Sequence, residues 1–99
     1  MSSHRIVVVR GPKGCKVVPG SQPGMRGDDF IFKAVNTDVI LHFPDKNLFN
    51  RDVVFVHEGN AETLTASKEI EPGCYPYSAY CVKSKAYAVG NSEPEIIIE

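Results

Sequence analysis

Six side chains in this sequence could carry soft-donor or nucleophilic chemistry: the thiols of Cys15, Cys74 and Cys81 and the imidazoles of His4, His42 and His57. A thiolate flanked by imidazoles suits Cu(I) or Zn(II), because those ions favour sulfur and nitrogen donors. Cys81 with His42 is the candidate metal pair, and His57 or a second cysteine is the candidate third donor. The same thiol could act as a nucleophile, since Lys83 and Lys85 stand close behind it and a nearby cation lowers a thiol pKa. That chemistry also needs an oriented base and an oxyanion device, and the sequence shows neither, so an enzyme is not expected. Nor does the chain contain a glycine-rich phosphate loop or a carboxylate cluster with metal spacing.

Each candidate has a plainer reading. Cys81 closes an aromatic run and would serve as a small buried hydrophobe. His42 alternates onto the same side as Ile40 and reads as a satisfied or solvent-facing strand residue. His57, next to Glu58, reads as a surface residue, and His4 sits in a terminal segment that defines nothing. Three cysteines are an odd number, so at least one stays outside any intramolecular disulfide. If Cys74 and Cys81 share one strand, the steps between them at ~3.3 Å each place them beyond disulfide reach. Only Cys15 could then pair with either of them, and the reading adopted is three reduced thiols.

The elements that must position these groups are strands. Short runs rich in valine, isoleucine and aromatics alternate with clusters of Gly, Pro, Asn and Asp, and helical periodicity is hard to find, a short helix by content at Ala61 to Ile70 and a lone helical turn in Pro44 to Asn50 being the alternatives to strand and loop. Arg5 to Arg10 and Cys15 to Val18 are the first runs, parted by Gly11-Pro12-Lys13-Gly14. Pro19 to Gly24 reads as an irregular loop. Phe30, Phe32 and Ala34 alternate with Ile31, Lys33 and Val35, and after Asn36-Thr37-Asp38 a second alternating run goes from Val39 to Phe43. A hairpin of these two runs is the natural expectation.

Pro44 to Asn50 is a loop whose Leu48 and Phe49 are expected to tuck against the core. Asp52 to His57 is the most continuously apolar run and is expected to be a buried strand. Ala61 to Ile70 leans toward strand through its threonines. Cys74 to Cys81 and Ala86 to Val89 come next, and after the turn Gly90 to Pro94 the chain closes with Glu95 to Glu99. On the strand from Cys74 to Cys81, Tyr75, Tyr77, Ala79 and Cys81 share one face, with Tyr75 and Tyr77 expected in core or tyrosine-corner packing. Pro76 lacks a ladder donor, so this strand must lie at an edge or bulge there. The count is seven or eight short strands in one domain spanning residues 1–99, the pattern of an all-β Greek-key sandwich.

Pro72-Gly73-x-Tyr75-x-Tyr77 leading to a strand-end Cys81, preceded by Phe30 to Asn36 and the run through His42, resembles the cupredoxin family of blue copper proteins. The resemblance covers roughly Gly27 to Ile98. It implies a cupredoxin-like sandwich with copper held by the strand-end cysteine, two histidines and usually an axial methionine. The ligand set is incomplete here: Val82 to Gly90 contains no histidine and no methionine, and the only methionines, Met1 and Met25, lie outside the matching region. The step from Gly73 to Cys81 is also longer than the family's, and Ile40 stands nearer than His42 to the family's first histidine position. No cofactor is therefore expected, copper being the one the resemblance brings with it. The expected function is a non-catalytic cupredoxin-fold domain lacking a complete type 1 site and acting as a binding or interaction module. The alternative is an atypical copper-binding or electron-transfer protein centred on Cys81 and His42.

Composition narrows the partners. Hydrophobic residues at 42% and charged residues at 23% describe a chain able to build a core. Eleven basic against twelve acidic side chains leave no basic footprint for nucleic acid. No apolar run approaches the roughly 20 residues that span a bilayer. The expected partner is a protein or a small molecule. The Ile96-Ile97-Ile98 run, if it lies at a sheet edge, would recruit a second copy by strand addition. The start of the chain lacks the apolar core of a secretory signal, which fits the cytoplasm, whereas a removed leader would fit a periplasmic or extracellular home.

Overall fold

The computed structural model describes residues 2–88 and 93–99. Its elements are β1 (Ser3–Gly11), β2 (Gly14–Val18), β3 (Ser21–Gly24), β4 (Asp29–Val35), β5 (Val39–His42), β6 (Val53–Val56), β7 (Ala61–Thr65), β8 (Gly73–Pro76), β9 (Ser78–Cys81), β10 (Ala86–Tyr87) and β11 (Glu95–Ile98). There is no helix among the described residues. The strands form sheets in the orders β2-β1-β4-β7, β10-β9-β5-β6 and β3-β11-β8. β1 with β4 and β3 with β11 pair in parallel, and every other ladder is antiparallel. The fold is an all-β sandwich, and Val89 and the turn residues Gly90 to Ser92 lie outside the described residues.

Period-two alternation explains the layers. Ile6 and Val8 of β1, Phe30, Phe32 and Ala34 of β4 and Leu64 of β7 are buried from one sheet. Val39 and Leu41 of β5, Val54 and Val56 of β6 and Ala79 and Cys81 of β9 are buried from the other. Ile96 and Ile98 of β11 close the core from the third sheet. At the centre Phe32 meets Phe43, Phe49 and Tyr77 at ring distances of 5.8, 6.2 and 5.6 Å, all edge-on. Such contacts add to a burial term of about 2 kcal/mol per ring. Phe49 and Leu48 come from the loop after β5 and are buried, as their apolar character within a polar loop implied. Tyr75 donates its hydroxyl to the Glu71 carbonyl, a tyrosine-corner bond.

Four local expectations are corrected. The Asn36 to Asp38 turn joins no hairpin: β4 pairs with β1 and β7, whereas β5 pairs with β6 and β9, so the turn carries the chain from one sheet to the other. Asn36 there takes a left-handed backbone (φ 63°), and the buried Thr37 hydroxyl donates to the Asp38 carbonyl and accepts Lys83 N, so a distant amide holds the segment as a corner between sheets. Cys74 to Cys81 is two strands, since the chain changes sheet at Tyr77. Pro76 accordingly ends β8, which is an edge strand. Ser21 to Gly24 is a strand beside β11, with Pro23 tolerated because β3 is also an edge. Finally, Val53 to Val56 is buried on one side only: Val53 is 52% and Phe55 41% exposed, because they lie on the outer face of a sheet that packs on the core with its other face.

Candidate functional site

Cys81 ends β9 at one end of the sandwich, fully buried, paired across the sheet with Val39 of β5 and Ala86 of β10. Its sulfur is bonded to that of Cys15, an inward residue of β2. Their Cα atoms are 6.6 Å apart, and the link ties the edge of one sheet to the body of the other. The expectation of three reduced thiols is thus corrected. Only Cys74 is free, and it is exposed on β8. The sequence held one signal for this pairing, since alternation turned Cys81 inward and Cys74 outward; the single-strand spacing that also excluded a Cys74–Cys81 bond does not hold, because the two lie on different strands. What it could not show was that β2 and β9 meet.

The imidazoles point elsewhere. His42 lies opposite Ser78 and Val53, three positions along β5 from Val39, or ~10 Å at strand rise. Val39 and Leu41 are buried while His42 is exposed, so His42 and Cys81 occupy opposite faces of the sheet. The two candidate metal residues are therefore not brought together. His57 follows β6 and rests its ring on Phe55 at 4.6 Å, also on the outer side. No group of three or more His, Cys, Asp or Glu side chains among the described residues is placed to hold a metal ion.

The loop after Cys81 is a tight turn fastened to the sheet corner. Ser84 N donates to the Cys81 carbonyl and Lys85 N to that of Val82, both at 3.2 Å. Val82 N donates to the Asp38 carbonyl at 3.0 Å, and Lys83 N to Thr37 Oγ1 at 3.0 Å. Asp38 Oδ1 in turn accepts Glu58 N at 2.7 Å, and Lys83 Nζ pairs with Glu58 Oε1 at 2.7 Å in the open. The exposed ion pair contributes little; the buried Thr37 bonds hold the end shut. Lys83 and Lys85 therefore activate no thiol at Cys81, whose sulfur is already bonded.

A second polar cluster, unsuspected from sequence, sits where β1 and β4 begin. The buried Asp28 carboxylate accepts His4 Nε2 at 2.8 Å, Met25 N at 2.9 Å and Ser2 N at 3.1 Å. His4 Nδ1 faces the Gln22 amide at 3.4 Å, and its ring stacks on Phe30 at 4.9 Å. Gly24 permits this: a Cβ there would meet Phe30 Cζ at 2.5 Å and His4 Nε2 at 3.0 Å. These bonds, the one from His4 foremost, hold the Asp28 carboxyl at about 2, below its ordinary 3.8. A folded pKa below the unfolded one stabilises the protein fully above pH 3.8, and that contribution disappears as pH falls toward 2. Asp28→Asn is accordingly expected to lower stability at neutral pH, with the gap from the parent closing as pH falls from 4 to 2; parallel urea titrations that keep a constant gap would refute the assignment.

No family model matches this sequence and no curated protein matches it. Solved structures do. A purple cupredoxin from Nitrosopumilus maritimus superposes with a TM-score of 0.60 at 13% identity, covering 97% of this chain and 99% of that one. A pseudoazurin from Sinorhizobium gives 0.57 at 16% identity over 100% and 75% of the two chains. A variant of amicyanin in its reduced Cu(I) form gives 0.56 at 16% identity over 96% and 82%. Type 1 copper requires a thiolate and two imidazoles on one metal, and here the strand-end sulfur is in a disulfide while His42 and His57 lie on the outer face, so the donor set does not fit that ion. The chain has a cupredoxin-like fold.

Proposed function

We propose that this is a non-catalytic cupredoxin-fold domain that works as a binding or interaction module and not through a type 1 copper centre. One observation carries the reading: the Cys81 sulfur is spent on a covalent link between the sheets. A cysteine so used stabilises the sandwich and cannot serve as a thiolate ligand or nucleophile. The same link supports an oxidising compartment, where disulfides persist. Binding by the outer face of the β10-β9-β5-β6 sheet is supported by its surface. Tyr87, Tyr80, Ile40 and Phe55 stand opposite one another in a single row across all four strands. Among the described residues, four of the six exposed large hydrophobics, Val53, Phe55, Val82 and Tyr87, belong to these strands or the turn between them.

The test is a titration with Cu(II) of the oxidised protein and of protein reduced, refolded and then freed of reductant under anaerobic conditions. Neither is expected to develop an intense visible thiolate-to-copper charge-transfer band. A strong band saturating at one copper per chain would overturn the reading in favour of an atypical copper protein.

A further inference from the structure

Among the described residues, six strands end a sheet: β2, β7, β10, β6, β3 and β8. An edge strand exposes a row of backbone donors and acceptors, and natural proteins guard it with proline, charge or brevity. β3 carries Pro23 and β8 carries Pro76. β10 has two residues, β2 carries Lys16 and β7 carries Glu62. β6 reads Val53-Val54-Phe55-Val56 and carries none of these guards. Its backbone groups bond only within the ladder to β5, and no other backbone hydrogen bond among the described residues involves them. Ile96 to Ile98, where strand addition was expected, has neighbours on both sides in β3 and β8. The open apolar edge lies at β6 instead.

We propose that β6 is a self-association edge, where a second copy of this chain adds its own β6 in antiparallel fashion to make one continuous sheet of eight strands. Going beyond the binding-module reading, this names a partner and a place. Facing decides the register. Val53 and Phe55 point outward while Val54 and Val56 point inward, so only registers that set outward residues opposite outward residues keep both faces intact. Val54 opposite Val54 of the second copy sets Val53 against its Phe55, a β-branched and aromatic pairing that strands favour. Slipping by one step to Phe55 against Phe55 sets Val53 against His57 of the second copy, beyond the end of its β6, and leaves a single outward pair within the strands. Val54 against Val54 keeps two outward pairs within β6 and is the register assigned. A two-fold axis through Val54 makes the contact isologous and closed, so the product is a dimer and not a fibre. The Tyr87-Tyr80-Ile40-Phe55 rows of the two copies then form one extended outer face.

Sedimentation over a dilution series from low to high micromolar, on the disulfide-intact chain, is expected to show a reversible shift from the mass of one chain to that of two. Val53→Lys with Phe55→Lys replaces two exposed side chains and should abolish the shift, with circular dichroism confirming the fold. Wild-type amides within Val53 to Val56 that face away from β5 should exchange more slowly as concentration rises. A wild-type protein that stays monomeric throughout overturns the proposal and leaves the edge to a foreign strand or to nothing. A dimer that survives the lysines but is lost in Tyr80→Ser with Tyr87→Ser overturns it in favour of face-to-face packing. The copper titration is independent of all these outcomes.

Discussion

Cys15→Ala with Cys81→Ala is expected to lower unfolding free energy by about 4 kcal/mol, the entropy returned to an unfolded chain no longer closed into a loop with sequence separation 66. For a domain of this length, whose whole stability is roughly 5–15 kcal/mol, that is a large share. The midpoint of thermal unfolding should drop by roughly 15–30 °C. The link also joins β2, an edge strand, to the central strand β9, so its removal frees an edge as well as a loop. Alanine keeps the site apolar, which matters because Cys15 and Cys81 are both buried. Cys74→Ala is the control: the free, exposed thiol should change stability by no more than about 0.5 kcal/mol. Urea denaturation followed by fluorescence measures both. A double variant within about 1 kcal/mol of the parent would mean that packing alone holds the sheets, and that the disulfide reading of Cys81 carries no energetic weight.

Phe32→Ala is the second large effect, at about 3–5 kcal/mol. Phe32 is 1% exposed and its ring touches Phe43 and Phe49 of the β5–β6 connection and Tyr77 between β8 and β9, which cannot all move inward to refill the space. Lost transfer energy and the remaining cavity therefore add. The partner experiment is Tyr77→Phe in the same cluster. Tyr77 is buried with its hydroxyl lacking a hydrogen-bond partner among the described residues, and burial pushes that hydroxyl above the ordinary tyrosine pKa. Deleting the oxygen leaves the ring contacts intact and removes an unmet desolvation cost, so stability should rise by about 1 kcal/mol. Opposite signs from two single substitutions whose rings lie 5.6 Å apart are a sharp test of how this core is built. A destabilised Tyr77→Phe would show that the hydroxyl does have a partner in solution.

The residues around Cys81 show how far local pattern reaches. Alternation assigned Tyr77, Ala79 and Cys81 to the inward face, and all three are buried, because the two-residue period of a strand is a property of the backbone itself. Pro-Gly before Tyr75, and valine- and phenylalanine-rich runs between turn clusters, likewise marked the strands and the sandwich. Partner choice did not follow from these patterns. A run such as Phe30 to Val35 is equally content beside any strand, and whether Asn36 to Asp38 makes a hairpin or a corner depends on the Lys83 and Val82 amides arriving from far along the chain.

The sequence by itself determined that the chain alternates, turns and buries its aromatics in an all-β sandwich, and that the loop after Cys81 lacks the histidine and methionine a blue copper site needs. Tertiary structure alone decided that Cys81 meets Cys15, that His42 faces away from it, that Ile96 to Ile98 is interior and that β6 ends its sheet. The physical reason is range. Facing and turn preference are set within a few residues, whereas which edges stay open and which sulfurs meet are properties of strand order, settled only when distant segments compete for the same neighbours.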